Sequence, residues 1–183
     1  MDKKTRSITM PCLMAVFLTA CITCDTARHP ELATVKAVDL ARYTGTWHEI
    51  ARLPNSFEKG LVCVTATYTL RPDGKIGVVN RGRMESDRRR DKSATAVGWV
   101  PDAAHPGRLL VRFFWPFNGD YWIIKLDERN YAWALVGEPS RKYLWILARE
   151  RALDAATYAE LVDEARRAGF DVDRLYPVPQ DCD

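Results

Sequence analysis

Histidine is scarce in this chain, with three in 183 residues, at positions 29, 48 and 105. His48-Glu49 is not continued into His-Glu-x-x-His, and neither a Gly-x-Ser-x-Gly elbow nor a glycine-rich phosphate loop occurs. Catalysis and metal binding therefore have little to build on, and no cofactor is expected. Charge of one sign is lacking too. Lys and Arg number 27 against 24 Asp and Glu, a net charge of +3. Lys3, Lys4 and Arg6 against Asp2 carry two of those charges, so the chain beyond residue 20 stands near +1, a balance that does not point to nucleic acid. Long hydrophobic runs are absent as well: Ile8 to Ala20 is interrupted by Pro11 and falls short of the roughly 20 residues a spanning helix needs.

That short apolar run, preceded by Lys3, Lys4 and Arg6, has the form of a secretory signal over residues 1–20. It ends Leu18-Thr19-Ala20-Cys21, which resembles the lipobox of bacterial lipoproteins. The resemblance implies that Cys21 becomes the mature N-terminus, carries acyl chains and holds the protein to a membrane, each buried methylene contributing about 0.8 kcal/mol. No aspartate follows Cys21, which by the general sorting habit of such lipoproteins implies the outer membrane, on its periplasmic face. Residues 21–38 read as a lipidated, flexible tether and residues 39–183 as one domain, long enough for a sizeable core.

Cysteines number five. Cys12 leaves with the signal and Cys21 takes the lipid. Cys63 and Cys182 remain in the domain in an oxidising compartment, and a disulfide between them is expected; Cys24 has no evident partner. Both domain cysteines have that use, so no metal site is expected of them.

From residue 46 onward, short alternating segments separated by turn signals predict strands at 46–52, 62–70, 75–83, 93–100, 108–115, 121–127, 131–137 and 143–149, with the charged stretch 85–92 as a loop. Ala155, Tyr158, Leu161, Val162 and Ala165 share one face of a helix predicted over 154–168, capped by Asp154 and ended by Gly169. This gives an all-β fold: an eight-stranded antiparallel up-and-down β-barrel with one C-terminal α-helix packed outside. In meander order, Trp47, Arg149, the turn at 72–74 and Asp127 share one end. Loops 53–61, 84–92, 116–120 and 138–142 share the other, a mouth carrying Lys59, Arg88, Arg89, Arg90, Lys92, Arg141 and Lys142. The Arg88 to Arg90 run also reads as a solvated loop. Period-two alternation places Glu49 and Ala51 inward with Trp47, and Val64 and Ala66 inward with Tyr68.

Three segments carry a family resemblance: Gly45-Thr46-Trp47 with Glu49-Ile50-Ala51-Arg52 and the loop Leu-Pro-Asn-Ser-Phe-Glu-Lys-Gly; Val64 to Tyr68 with Tyr121 to Asp127; and Leu144 to Arg149 followed by the helix and Gly169-Phe170-Asp171-Val172. They resemble the lipocalins, closest to the bacterial members and their animal relative apolipoprotein D, over about residues 40–182. His48 stands where tyrosine is commoner. The resemblance implies that Trp47 plugs the narrow end of the barrel and Arg149 covers it, a cation–π contact of roughly 0.5–2 kcal/mol. It places Tyr68, Asn80 and Trp145 in a ligand pocket, to which Phe113, Trp115 and Tyr121 are added as aromatic candidates. An apolar cup with a few polar groups suits an acyl chain with one polar head, so the expected ligand is a fatty acid or lysophospholipid, carried for membrane maintenance by a monomer or weak dimer. Haem or another tetrapyrrole as ligand, or a filled barrel with a structural role, are the rival readings. An enzymatic activity on a bound lipophile would need an acid inside the barrel, and Glu49 is the carboxylate that alternation places there.

Overall fold

The structure, a computed structural model, describes residues 29–182. The signal segment, Cys21 and Cys24 lie outside the described residues. In chain order the elements are α1 (Leu40–Tyr43), β1 (Gly45–Arg52), β2 (Leu61–Leu70), β3 (Ile76–Met84), β4 (Asp87–Trp99), β5 (Arg108–Phe114), β6 (Phe117–Leu126), β7 (Trp133–Gly137), β8 (Leu144–Ala148), α2 (Ala155–Arg167) and β9 (Tyr176–Pro177). Strands β2 to β8 pair in sequence order, β8 pairs with β1, and β1 pairs back to β2, closing an eight-stranded antiparallel barrel. Closure leaves no free sheet edge in the ring and encloses an interior wide enough for side chains or one small ligand.

Three apolar clusters result: a small one of Leu61, Val64 and Val178 beside β9, and two larger ones, one on each face of the sheet. Inside, Trp47, Tyr43, Tyr68, Ile76, Val78, Leu126 and Leu147 pack together at one end. Outside, Leu161 and Ala165 of α2 press on Leu135, Leu144 and Ile146. The helix begins where the Asp154 side chain accepts the Thr157 amide at 2.9 Å and ends as the Phe170 amide reaches back to the Ala165 carbonyl. Its apolar stripe is thus aimed at the outer face of β7 and β8.

The narrow end is closed by a compact set of contacts. The Trp47 indole donates to the Tyr43 carbonyl at 2.9 Å, and the Arg149 guanidinium lies 3.9 Å from the Trp47 ring centroid. The same guanidinium donates to the carbonyls of Thr46, Arg42, Tyr43 and Tyr131, so its charge is met by four backbone dipoles. Gly45 allows this approach: its φ is +95°, and a Cβ there would stand 3.1 Å from Arg149 Nη1.

Several segments differ from the sequence reading. The charged stretch 85–92 is mostly strand. β4 starts at Asp87, with Gly82 opposite Lys92 and Arg83 opposite Asp91. The backbone ladder simply runs on past the buried region, where both faces are wet and no apolar alternation marks it. Likewise β6 starts at Phe117 rather than 121, leaving Trp115 and Pro116 as the turn. Ala51 does not point inward. A bulge between Glu49 and Ala51 reverses the alternation, so Ala51 is buried with the helix cluster while Arg52 is paired with Trp145 and turns inside. The tether does not extend to residue 38. Leu32 is 2% exposed against the outer cluster and the Val35 amide donates to the Ile123 carbonyl at 3.0 Å, so the folded body begins near Pro30. α1 and β9 were not anticipated either. α1 is a single turn capped by Asp39 that lies over the closed end, and β9 is held to β1 by a tail that the disulfide between Cys63 and Cys182 returns to the barrel.

Gly45→Ala is expected to cost about 1–3 kcal/mol, from left-handed strain plus displacement of Arg149. Gly74→Ala should cost less, since its backbone is also left-handed (φ +75°) but its Cβ would meet open space. Equal losses in urea unfolding would mean that the approach of Arg149 contributes nothing.

Candidate ligand cavity

The interior cluster fills only the closed half of the barrel. Toward the mouth it gives way to a cavity of about 840 Å³, in the range of small-molecule sites. Its floor and walls are Tyr68, Val78, Val64, Ala66, Val111 and Leu147. At the bottom the Tyr121 hydroxyl lies 2.8 Å from that of Tyr43 and 2.9 Å from that of Tyr68. Burial pushes all three phenols up from their usual range, so they stay neutral and donate and accept among themselves.

Polar residues on β3, β4 and β6 line part of the cavity, and a further polar stretch lies along β1 and β8. Glu49 (3% exposed), Arg52 (4%) and Glu58 (7%) are all buried there. Arg52 donates to Glu49 at 2.6 Å and to the carbonyls of Glu58 and Leu61. Glu58 folds back from the loop between β1 and β2 and accepts the Trp145 indole at 3.1 Å and the Asn55 amide at 2.5 Å. The guanidinium thus bonds the Glu49 carboxyl and the Glu58 main-chain carbonyl, while the Glu58 carboxylate is held by Trp145 and Asn55. Burial, and then the Glu58 charge, hold the Glu49 carboxyl well above the usual range, and Arg52 pulls the other way without reversing it. The short Glu49–Arg52 contact is therefore no ordinary ion pair, because desolvation outweighs the attraction. Across the cavity the Asn80 Oδ1 atom is buried and has no partner, an acceptor aimed at the interior.

Of the residues expected to bind ligand, Tyr68, Asn80, Phe113, Tyr121 and Trp145 line this cavity. Trp115 does not; it is 80% exposed at the tip of the β5–β6 hairpin, because the turn falls on it and no strand partner fixes its side chain inward. An aromatic series leads in from the mouth: Phe57 packs on Tyr143 at 5.5 Å, and Tyr143 stacks on Trp145 at 6.0 Å. Arg141 is not a rim cation. Its guanidinium donates to the carbonyls of Ala168 and Pro30 and ties the mouth loop to the helix end and the N-terminal segment. Arg88 and Arg89 are engaged by Asp181 and Asp87. Sequence reasoning missed Arg52, hidden by the bulge, and Glu58, a loop residue whose inward fold no periodicity signals. Among the described residues the metal-type cluster Cys63, Asp181 and Cys182 has both its sulfurs in the disulfide.

A closed barrel plugged at one end and open onto an apolar cup at the other defines a calyx, a fold that takes one small lipophilic molecule through its mouth. Comparisons with known proteins agree. Residues 38–180 match the lipocalin-like domain. The outer membrane lipoprotein Blc of Vibrio cholerae is 37% identical over 92% of this chain and 95% of its own, and that of Escherichia coli K12 is 41% identical over 87% and 89%. Apolipoprotein D of Macaca fascicularis is 32% identical over 78% and 77%. Among solved structures, insecticyanin from the tobacco hornworm superposes with a TM-score of 0.64 at 23% identity, covering 81% of this chain and 84% of its own, a likeness of fold alone. The chain belongs to the lipocalin family. As a lipocalin it is a binding protein rather than an enzyme.

The proton on Glu49 sets a pH dependence. The folded state keeps a proton that the unfolded chain releases near the ordinary glutamate value of about 4.3, so stability is lost as pH rises from there through the raised value. Glu49→Gln removes that loss. Urea unfolding across a pH series should show the parent falling relative to the variant as pH climbs; parallel curves would mean Glu49 titrates normally.

Proposed function

We propose that this chain is an outer-membrane lipoprotein, anchored through Cys21 and facing the periplasm, that stores or transports a fatty acid or lysophospholipid for membrane maintenance. The observation that carries this reading is the cavity: apolar and aromatic along most of its wall, with buried carboxyls on the β1 side, cations on β3 and β4, and an acceptor at Asn80 unpaired among the described residues. Such a cup takes one acyl chain and satisfies one polar head. Its size weighs against a filled, purely structural barrel. Among the described residues no histidine, cysteine or methionine lines it, and the tyrosines at its floor are bonded to one another, which weighs against the haem reading. The similarity to Blc lipoproteins supports the anchor and the membrane.

The test is titration of the chain from residue 21 onward, carrying Cys21→Ser, with a lysophospholipid, a long-chain fatty acid and haem, each below its aggregation concentration. Saturable one-to-one binding of a lipid, read by displacement of a polarity-sensitive acyl probe, is expected, and Trp145→Ala should weaken it about tenfold by removing a buried aromatic contact. Absence of saturation by any lipid would return the barrel to a structural role. For the anchor, Cys21→Ala in cells should move the protein from the membrane to the soluble periplasmic fraction; retention on the membrane would place the attachment elsewhere.

A further inference from the structure

The mouth carries a second feature that ligand binding does not use. From Phe113 to Gly119 the β5–β6 hairpin has no ionisable residue, and at its tip Phe114 is 70%, Trp115 80% and Phe117 68% exposed. These are the most exposed large apolar side chains of the described residues, and they stand together. Single exposed apolar residues are ordinary, but a contiguous aromatic patch marks an interaction surface. Aromatic side chains with an apolar body and, in Trp, one donor are suited to the boundary between water and lipid.

The position of the hairpin narrows the partner. β4 and β5 are paired only from Val97 to Trp99 against Leu110 to Arg112. Toward the mouth the two strands are no longer paired, and the cavity is lined from both sides of that gap, by Lys92 to Thr95 and by Phe113 and Phe114. The aromatic tip therefore borders the cavity's opening. The N-terminal segment also enters the fold at this end, since the Pro30 carbonyl is held by Arg141 of the mouth loop. Cys21 lies eight residues before His29, a reach of at most roughly 28 Å when fully extended. The barrel wall from mouth to closed end, measured along the ten residues of β2, is about 33 Å. An anchor at Cys21 thus holds the mouth near the bilayer and leaves the closed end away from it. Among the described residues no helix is long and apolar enough to cross a membrane.

We propose that the β5–β6 hairpin is a bilayer-docking element: Trp115 and Phe117 insert at the headgroup boundary of the leaflet that holds the anchor, seating the mouth of the cavity on its lipid source. Lys92 and the exposed Arg90 beside the opening face the phosphates of that leaflet. This proposal rests on the anchored lipid-carrier reading above, and it adds the orientation and the contact through which an amphiphile passes without crossing water.

The experiment uses the chain from residue 21 with Cys21→Ser, so that any membrane contact comes from the protein surface, and co-sedimentation with vesicles of phosphatidylethanolamine containing a minor share of phosphatidylglycerol. The parent should partition onto vesicles, and Trp115→Ser with Phe117→Ser should lower the partition coefficient about tenfold or more, as binding scales with the apolar area inserted. Neither residue lines the cavity, so lysophospholipid affinity in the vesicle-free titration should be unchanged. No partition by the parent, or equal partition by both proteins, overturns the docking element. A concentration-dependent dimer lost in the double variant, with no vesicle binding by either protein, also overturns it and assigns the patch to a second copy of the chain. Failure of the carrier reading would appear separately, as absence of saturable lipid binding in parent and variant alike.

Discussion

The contact on which the rest of this fold depends is the Arg149 guanidinium laid over Trp47. A barrel of eight strands can be filled, or it can be a cup, and a cup needs a floor that does not rely on filling the whole interior. Here one indole occupies the narrow end, and one cation, met by four carbonyls from the chain entering β1 and the turn before β7, ties the first strand to the end of the last. Ring closure between β8 and β1 and sealing of the floor are thereby a single event. The tyrosine hydroxyl chain then rests on that floor, and the cavity begins above it.

Much of this was legible in sequence. Strand order and the outer helix lie on segments where alternation or a turn signal is sharp, whereas the plug, its cover and the positions Tyr68, Asn80 and Trp145 follow from the family resemblance, and the disulfide from the count of cysteines left in the domain. What was not legible follows a physical rule. β4 between Asp87 and Lys92 carries no alternation because neither face is buried, so a strand held only by its backbone ladder looks like a charged loop. α1 is one turn long, too short for any periodicity to register. Leu32 and Val35 are isolated apolar residues in a polar stretch, and their burial depends on a groove that exists only after the barrel closes. Trp115 was misplaced because an aromatic at a strand end and an aromatic at a turn are the same letter.

The bulge between Glu49 and Ala51 has the largest consequence for the site. Without it, period-two alternation would continue, Ala51 would face the cavity and Arg52 would point out beneath α2, where a guanidinium has no place. The bulge sends the small residue under the helix and the cation into the cup. Arg52 then bonds the Glu49 carboxyl and the Glu58 main-chain carbonyl, and a proton on Glu49 answers the nearby Glu58 charge. The β1–β8 wall is in this way polar without carrying a large net charge.

That balance bears on which end of an amphiphile goes where. A carboxylate or phosphate driven deep along the β1–β8 wall would meet Glu58 and would find Arg52 already committed to three acceptors. The free acceptor at Asn80 asks for a hydrogen-bond donor rather than an anion. The cations that line the cavity, Arg81 and Lys92, stand at its outer part on β3 and β4, on the side where β4 and β5 separate. On the proposed lipid-carrier reading, an acyl chain would enter with its tail toward the tyrosine floor, hydroxyl or amide groups at the level of Asn80, and its anionic group at the rim, where that group would remain hydrated. On that same reading, the charge distribution inside the cup and the aromatic hairpin beside its opening would favour one direction of travel, tail first and head toward the mouth.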